Sequence, residues 1–494
     1  MDEHYDVVVV GTGNAALCSA ISAKEYGAKV LVVEKAPENK KGGNSFFTDG
    51  AIRFSYGDFD GIKKVVPGIV DEKIHMPFYT EEDYYNDLMD ITNNKSDKSL
   101  AYHLTSHSYS TILWLKEQGV EFELNENQCF ENNGILEFWG GLPVKTKQKG
   151  IGLIQALLDR AHKSEIDIRY QTKAIRLEKS NNKIIGIYVE SKNKEIKKVQ
   201  TKSVILACGG FEANKQKRIE YLGPEWKNAI VRGTEYNTGD GIEMALEVGA
   251  NKKGQYNGCH AHTTDYNAPK VGDFKKPGDI YKKSSYPLGL IVNIDGKRFV
   301  DEGADFRNYT YAKYGKETLN QTQQKAFQIY DNQVASMLRK EYSLEEATMI
   351  QADSLSDLAE KMEINKKGFL KIIEKYNNSV QAGKYNPSIK DGKGTKNLTP
   401  PKSNWALQFK QPPFYAYPVT CGITFTFGGI EVNKKGEVLG NNSSPIAGLY
   451  AAGEMIGGLF YHNYPGGSGL MSGSVFGRTA GKNAGKYVTS TLTN

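Results

Sequence analysis

One arginine stands between acids and tyrosines in the stretch VDEGADFRNYTYAKYG, residues 300–315. Asp301, Glu302 and Asp305 precede Arg307, and Tyr309, Tyr311 and Tyr314 follow it. A solvent-facing loop has little use for so many aromatics, and a guanidinium among them suits an anion held by charge-assisted hydrogen bonds. The plainer reading is a structural arginine paired to Asp305. A second chemistry lies at the start of the chain, in YDVVVVGTGNAALCSAISAKEYGAKVLVVEKA. The apolar β-branched run Val7 to Val10 reads as a buried parallel strand. Gly11, Gly13 and Ala16 then give G-x-G-x-x-A at the entry to a helix, with Asn14 and Ala15 in the turn. The first glycine permits the tight turn, the second lets backbone N–H groups approach a pyrophosphate, and the small Ala16 lets helix and strand pack closely. Glu34 ends the next strand, 23 residues after Gly11, where an acid accepts the ribose hydroxyls of an adenosine. Lys35 follows it.

Further glycine loops decide between NAD and FAD. Gly42, Gly43, Asn44 and Ser45 form one. The strand Val204 to Ala207 ends in a second, Cys208, Gly209 and Gly210. Near the end of the chain, PIAGLYAAGEMIGG gives a strand ending at Gly453 and Glu454, and YPGGSGLMSGSVFG leads into a helix. A long flavin nucleotide needs contacts distributed in this way. The helix beginning near Ser468, Gly469 and Leu470 can aim N–H groups at the flavin O2 and N1 edge. Glu454 is placed for a ribityl hydroxyl, and Ala174 and Asp240 complete the expected cofactor contacts. A single G-x-G-x-x-A unit argues against a second, NAD(P)H-binding domain.

The elements that position these residues suggest a discontinuous chain path. At 494 residues, two or more structural units are expected. The predicted fold class is α/β, a discontinuous Rossmann-type FAD-binding domain over 1–250 and 412–494 with an α+β capping domain inserted at 251–411. Residues 150–210 read as a helix followed by short strands. Residues 317–385 read as polar and helical, with a capping-box-like start at Ser354 and Asp357. The stretch 385–405 is a Pro/Gly/Lys-rich connector.

Composition narrows the function further. The hydrophobic share of 39% and charged share of 24% are those of a globular protein. The 63 basic and 57 acidic side chains leave +6, with the lysines scattered, so no nucleic-acid partner is expected. The five cysteines, far apart and without CxxC or zinc spacing, suit a reducing compartment and no metal site. No signal peptide and no run of about 18 apolar residues is visible, so a cytoplasmic protein that does not span a membrane is expected.

The glycine loops, TGDG at 238–241, the insertion and AAGE at 451–454 resemble the fumarate reductase and succinate dehydrogenase flavoprotein superfamily, which includes the 3-ketosteroid dehydrogenases. More narrowly, NAALCSA, YLGPEWKNAIVRGTEYNTGDG, GCHA, RFVDEGADFRNYTYAKYG and YHNYPGGSGLMSG look like the FAD-dependent tricarballylate dehydrogenases, over residues 5 to about 482. The resemblance implies noncovalent FAD and oxidation of tricarballylate to cis-aconitate, by hydride transfer to flavin N5. It implies a membrane-bound iron–sulfur protein as electron acceptor. Arg307, after Arg298–Phe299, falls where the fumarate reductases carry their catalytic arginine, and so would exchange the proton, with Asp301, Glu302 or Asp305 as helpers. His260 aligns with the substrate histidine, with His262 as the near miss, and His462 is expected beside flavin or substrate.

The pattern also departs from fumarate reductase. Tyr464 stands where a substrate arginine is usual, Thr424–Phe425 replace paired histidines, and the Glu-x-x-Arg relay is absent from YKKSSYPLGLIVN. The YPGG at 464–467 matches the 3-ketosteroid dehydrogenases, whose tyrosine hydroxyl holds a ketone. Tyr464 and the backbone N–H of Ser468 are expected to hold a carbonyl or carboxylate oxygen here. His260, His262, Arg307 and Arg53 suit a small anionic carboxylate better than a steroid. The alternatives are a reductase of another unsaturated acid, a 3-ketosteroid dehydrogenase, and a non-catalytic flavin electron-transfer subunit.

Overall fold

The structure, a computed structural model, describes residues 3–69, 73–132, 134–138, 140–276 and 278–490. Two large sheets organise it. The first begins with β1 (Glu3–Val10) and β2 (Val30–Val33), continues with β3 (Asp167–Arg169) and β4 (Thr172–Ser180), and adds β5 (Lys183–Ser191) and β6 (Ile196–Leu206). The chain then builds a second sheet from β7 (Ile230–Val231), β8 (Lys252–Asp265), β9 (Leu290–Asn293), β10 (Ala326–Tyr330), β11 (Ile350–Ala352) and β12 (Phe414–Ile430). It returns to the first with β13 (Glu437–Leu439) and β14 (Pro445–Ala451).

The first sheet has eight strands in the order β4-β5-β14-β6-β1-β2-β3, with β13 on β14. At its centre Val7, Val8 and Val9 are fully buried. Burial on both faces suits the parallel ladders that β1 makes with β2 and β6. The second sheet has six strands, with β12 as its spine: β7, β8, β10 and β11 all pair with it. Both β7 and β12 flank the segment 251–411, so the chain changes sheet at Ile430.

The expected helical character of 317–385 holds for Leu355–Lys361 and Lys366–Ser379. Ser354 Oγ accepts the Asp357 N–H at 3.0 Å, the cap that its position suggested. It fails at β10, Ala-Phe-Gln-Ile-Tyr, which is buried throughout. Five residues are too short to show helical periodicity, and pairing between β9 and β12 makes them a central strand.

The first and last long helices, α1 (Asn14–Glu25) and α5 (Ser468–Ser490), lie against each other. The helix α2 (Lys149–Lys163) packs against the Gly43–Phe47 loop, and two others border the site, α3 (Asp240–Glu247) and the short α4 (Arg307–Thr310). The α1–α5 contact depends on a glycine stripe, Gly473, Gly477, Gly481 and Gly485. A Cβ at Gly477 would stand 2.5 Å from the Ala15 carbonyl oxygen, and one at Gly481 2.2 Å from that of Ser19. Only bare backbone permits this approach. Among the described residues, no helix is long and apolar enough to cross a membrane, and no group of three His, Cys, Asp or Glu side chains is placed to hold a metal ion.

Candidate active site

A single long cavity runs from the β1–α1 turn to the start of α5. Gly11, Gly13, Asn14 and Ala15 line its first end. Gly11 has φ +112°, and a Cβ there would meet the Ala207 carbonyl oxygen at 2.6 Å, so the turn accepts only glycine. Glu34 lies beside it. One carboxylate oxygen accepts from the Thr12 N–H at 3.0 Å and its hydroxyl at 2.7 Å, and the other from the Ala36 N–H at 2.8 Å. Lys35 pairs with Asp240 at 2.6 Å at the start of α3. Both line the cavity, as do Gly43, Asn44, Ser45 and Ala174. Ser45 Oγ accepts the Asn14 N–H at 3.2 Å, joining the two glycine loops. Gly42 does not line the cavity. It turns the loop at φ +97°, and its N–H goes to Thr12 Oγ1 at 3.2 Å.

The middle of the cavity is bounded by Ala207, Cys208, Gly209, Gly453 and Glu454. Glu454 is no solvated loop acid. It accepts from the Thr426 N–H at 2.7 Å and meets the carboxyl of Glu212, a residue that the sequence reading passed over. Glu212 Oε1 accepts from Asn44 at 2.7 Å and Asn237 at 2.6 Å. Its other oxygen has no donor unless a proton sits between the two carboxyls. Burial raises both carboxyl pKa values, and the Glu212 charge raises that of Glu454 further. Both shifts favour a proton shared between the two carboxyls.

These features fit FAD. The cavity joins an acid placed for adenosine hydroxyls to two helix N-termini, α1 and α5, that favour negative charge. Glycines stand where a Cβ would fill the cradle: at Gly453 it would meet Ala15 Cβ at 2.8 Å. Gly469 and Leu470 line the far end, and Asn14 Nδ2 donates to the Leu470 carbonyl at 2.8 Å.

The far end also gathers the candidate catalytic groups. Arg307 starts α4, is half-buried, and lies with its guanidinium carbon 5.5 Å from the Tyr311 ring centre. None of the acids around it in sequence holds it. Asp305 takes the Phe306 N–H at 2.7 Å and Lys390 at 3.4 Å. Asp301 takes the Gly303 and Ser403 N–H groups, each at 3.0 Å. Among the described residues, Arg307 has no carboxylate partner, which removes the reading of a structural pair with Asp305. Burial and the nearby Arg339 charge lower its pKa below the usual guanidinium value.

His260, on β8, is 3% exposed, and neither ring nitrogen has a partner. Its ring sits 4.9 Å from Tyr311, 5.1 Å from Tyr464 and 5.5 Å from Phe425. Burial, helped by Arg232, pushes its pKa well down, so it is neutral. His262 also lines the cavity, but Nδ1 is bonded to the Thr263 carbonyl and Nε2 lies 3.4 Å from Ser284 Oγ. The Tyr464 and Tyr311 hydroxyls bond to each other, and burial raises both pKa values. Arg232 is held by Asp279 at 3.2 Å and donates to Thr424 Oγ1 at 2.7 Å.

Four expected contacts lie elsewhere. Glu302 is fully buried in an ion pair with Arg298 and accepts the Ile291 N–H at 2.7 Å, so it braces the loop behind Arg307. His462 is exposed at φ +60°, with its backbone N–H on Gln255 at 2.6 Å. The Ser468 N–H is taken by the Pro465 carbonyl at 3.1 Å and its hydroxyl accepts from Tyr84 at 2.9 Å, so neither is free for a substrate oxygen. Arg53 is sealed behind the Gly466–Gly467 wall, donating to the Gly466 carbonyl at 2.9 Å and to Asp87 at 2.9 Å. Conversely Arg232, Lys282, Arg339 and Asn308 reach the cavity without any local signature in the sequence.

The family described as FAD binding domain matches residues 6–470. A probable fumarate reductase of Shewanella frigidimarina is 30% identical over 98% of this chain and 75% of its own length. A vinyl phenol reductase of Lactiplantibacillus plantarum is 28% identical over 98% of this chain and 97% of its own. Among solved structures, the open conformation of a flavocytochrome c3 fumarate reductase superposes with a TM-score of 0.73 at 28% identity, over 98% of this chain and 79% of that one. Cavity, glycine cradle and relatives agree: the chain belongs to the FAD-binding flavoproteins of the fumarate reductase and succinate dehydrogenase superfamily, and it is an FAD-dependent oxidoreductase.

Proposed function

We propose that the chain interconverts a CH–CH single bond and a C=C bond beside a carboxylate, with Arg307 carrying the proton. Bound FAD supplies the hydride acceptor or donor. The observation that carries this reading is that Arg307, without a carboxylate partner among the described residues, and the partnerless His260 both line the cavity and both flank the Tyr311 ring. Arg307 holds one carboxylate oxygen or passes a proton to the neighbouring carbon, and its lowered pKa makes release of that proton less costly. Neutral His260 donates one N–H to the substrate and so fixes its orientation. The aromatic side chains around them limit the water that reaches this end. Relatives named for the reduction of fumarate, acrylate and vinyl phenol support C=C chemistry.

Tricarballylate, oxidised to cis-aconitate, is the acid that the narrower sequence motifs favour, and a membrane-bound iron–sulfur protein is the electron partner that goes with it. A second reading rests on the Tyr311–Tyr464 hydroxyl pair, which suits a neutral carbonyl. It points to an enone such as a 3-oxosteroid, the substrate class named for a relative that is 25% identical over 95% of this chain. Anaerobic stopped-flow on the FAD-loaded protein separates the two. Bleaching of the flavin by tricarballylate, or reoxidation of the prereduced protein by cis-aconitate or fumarate, supports the carboxylate reading. Bleaching by a 3-oxosteroid alone overturns it.

A further inference from the structure

The substrate end of the cavity has two unlike halves. Four cations border it, Arg232, Lys282, Arg307 and Arg339. Arg232 is committed to Asp279 at 3.2 Å, Lys282 to Asp49 at 2.8 Å and Glu341 at 3.0 Å, and Arg339 lies 3.6 Å from Glu341. Among the described residues, Arg307 alone of the four has no acid, and Arg339 leaves its Nε without a hydrogen-bond partner. Two neutral groups with spare donors line the same cavity: His260, which shares the Tyr311 ring with Arg307, and the next residue along the chain, Asn308, through its buried Nδ2. This half has the charge for one carboxylate.

The other half is aromatic. Phe425 packs edge-on to Tyr464 at 5.0 Å, to Phe427 at 5.5 Å and to Phe460 at 5.9 Å, and all four line the cavity. Phe425 and Tyr464 stand over the first turn of α5: a Cβ at Gly469 would lie 3.8 Å from one ring and 3.9 Å from the other. Rings set edge-on in this way offer faces and edges to another flat π system. A second carboxylate directed there loses its water among the rings, and of the charges that reach Tyr464, Arg232 is already held by Asp279 and Arg307 serves the first carboxylate.

We infer that the natural substrate is a flat α,β-unsaturated monocarboxylate carrying an aryl group, of the cinnamate type, with its carboxylate on Arg307, His260 and Asn308 and its ring against Phe425 and Tyr464. This rests on the carboxylate reading above and narrows its substrate class. It weighs against a tricarboxylate, whose three negative charges exceed the single positive charge by which Arg232, Lys282, Arg307 and Arg339 outnumber Asp279, Asp49 and Glu341.

The test is isothermal titration of the oxidised holoenzyme with cinnamate, crotonate, fumarate, cis-aconitate and 4-phenyl-3-buten-2-one, the methyl ketone counterpart of cinnamate. The expected result is cinnamate binding at least about ten-fold tighter than crotonate, from burial of the ring, and tighter than both polycarboxylates and the ketone. Phe425→Ala should raise the cinnamate Kd at least about five-fold more than the crotonate Kd. Tighter binding of fumarate or cis-aconitate overturns the inference, as does an equal effect of Phe425→Ala on both acids. Tighter binding of the ketone overturns the carboxylate assignment with it. Reoxidation of the prereduced protein is followed in parallel. Reoxidation by crotonate or fumarate without cinnamate binding defeats this inference alone. Tight cinnamate binding with no reoxidation by any unsaturated acid defeats the proposed reaction and leaves the ligand class standing.

Discussion

Arg307→Ala should cut turnover by orders of magnitude while sparing the fold, and the structure sets the size of both effects. The guanidinium has no carboxylate partner among the described residues, so its removal strands no buried charge. The loss is one half-buried contact with the Tyr311 ring, worth about 0.5–1 kcal/mol. The melting temperature should therefore stay within about 2 °C of wild type, with FAD retained. Loss of a general acid costs about 10²–10⁴ in rate, or about 3–5 kcal/mol of barrier. Arg307→Lys keeps a cation for the carboxylate but not the fork geometry or the same proton donor. Its substrate KM should rise by less than about ten-fold while kcat falls by about 10² or more. The control is Arg298→Ala, which leaves Glu302 buried without its partner and should cost about 3–5 kcal/mol of stability. The assay is single-turnover reoxidation of prereduced protein alongside thermal melts. Turnover of Arg307→Ala within about ten-fold of wild type, with FAD bound, would refute the proton-carrier role.

Three further outcomes are expected. Gly481→Ala should destabilise by about 1–3 kcal/mol and weaken FAD retention, because its Cβ meets backbone at 2.2 Å; a melt at or above wild type contradicts the close α1–α5 contact. Glu212→Ala strands the amide donors of Asn44 and Asn237 at about 1–3 kcal/mol each, whereas Glu212→Gln keeps a neutral acceptor and should cost less than about 1 kcal/mol; equal urea midpoints for the two variants contradict the shared proton. Burial alone would raise the Glu341 pKa, but Lys282 and Arg339 outweigh it and bring it from 4.5 down to about 2. Its contribution is fully present above pH 4.5 and fades as pH falls through 2, with about 2 kcal/mol lost by pH 3. Glu341→Gln should flatten that part of the acid-unfolding curve, and an unchanged curve counts against the Lys282–Glu341 pair.

The cofactor end was legible because its rules are local. A strand, two glycines, a small residue and an acid at fixed spacing specify one turn, and Gly11, Gly13 and Glu34 all line the cavity. The substrate end was legible only where a motif carried it, as with Arg307, His260 and Tyr464. Glu302 and His462 show the weakness of proximity in sequence: each lies within five residues of a cavity residue, yet each turns to other partners. The Ser468 N–H is not open to a substrate because it serves the turn that starts α5, a use that a linear motif does not reveal. Arg232, Arg339 and Glu212 carry no spacing signal. They enter through strand pairing and loop closure across more than a hundred residues, which a linear pattern does not encode.

The glycine stripe on α5 bears on how the enzyme is made. Asn14, in the first cofactor turn, is tied to Leu470 and Ser474, and the far wall of the cavity is the first turn of a helix seated on α1. A nascent chain displaying only its first few hundred residues has the nucleotide turn but lacks the surface that closes the far end of the cavity. A chain that ends before residue 468 is therefore expected to keep the nucleotide turn and to lack the wall that completes the pocket.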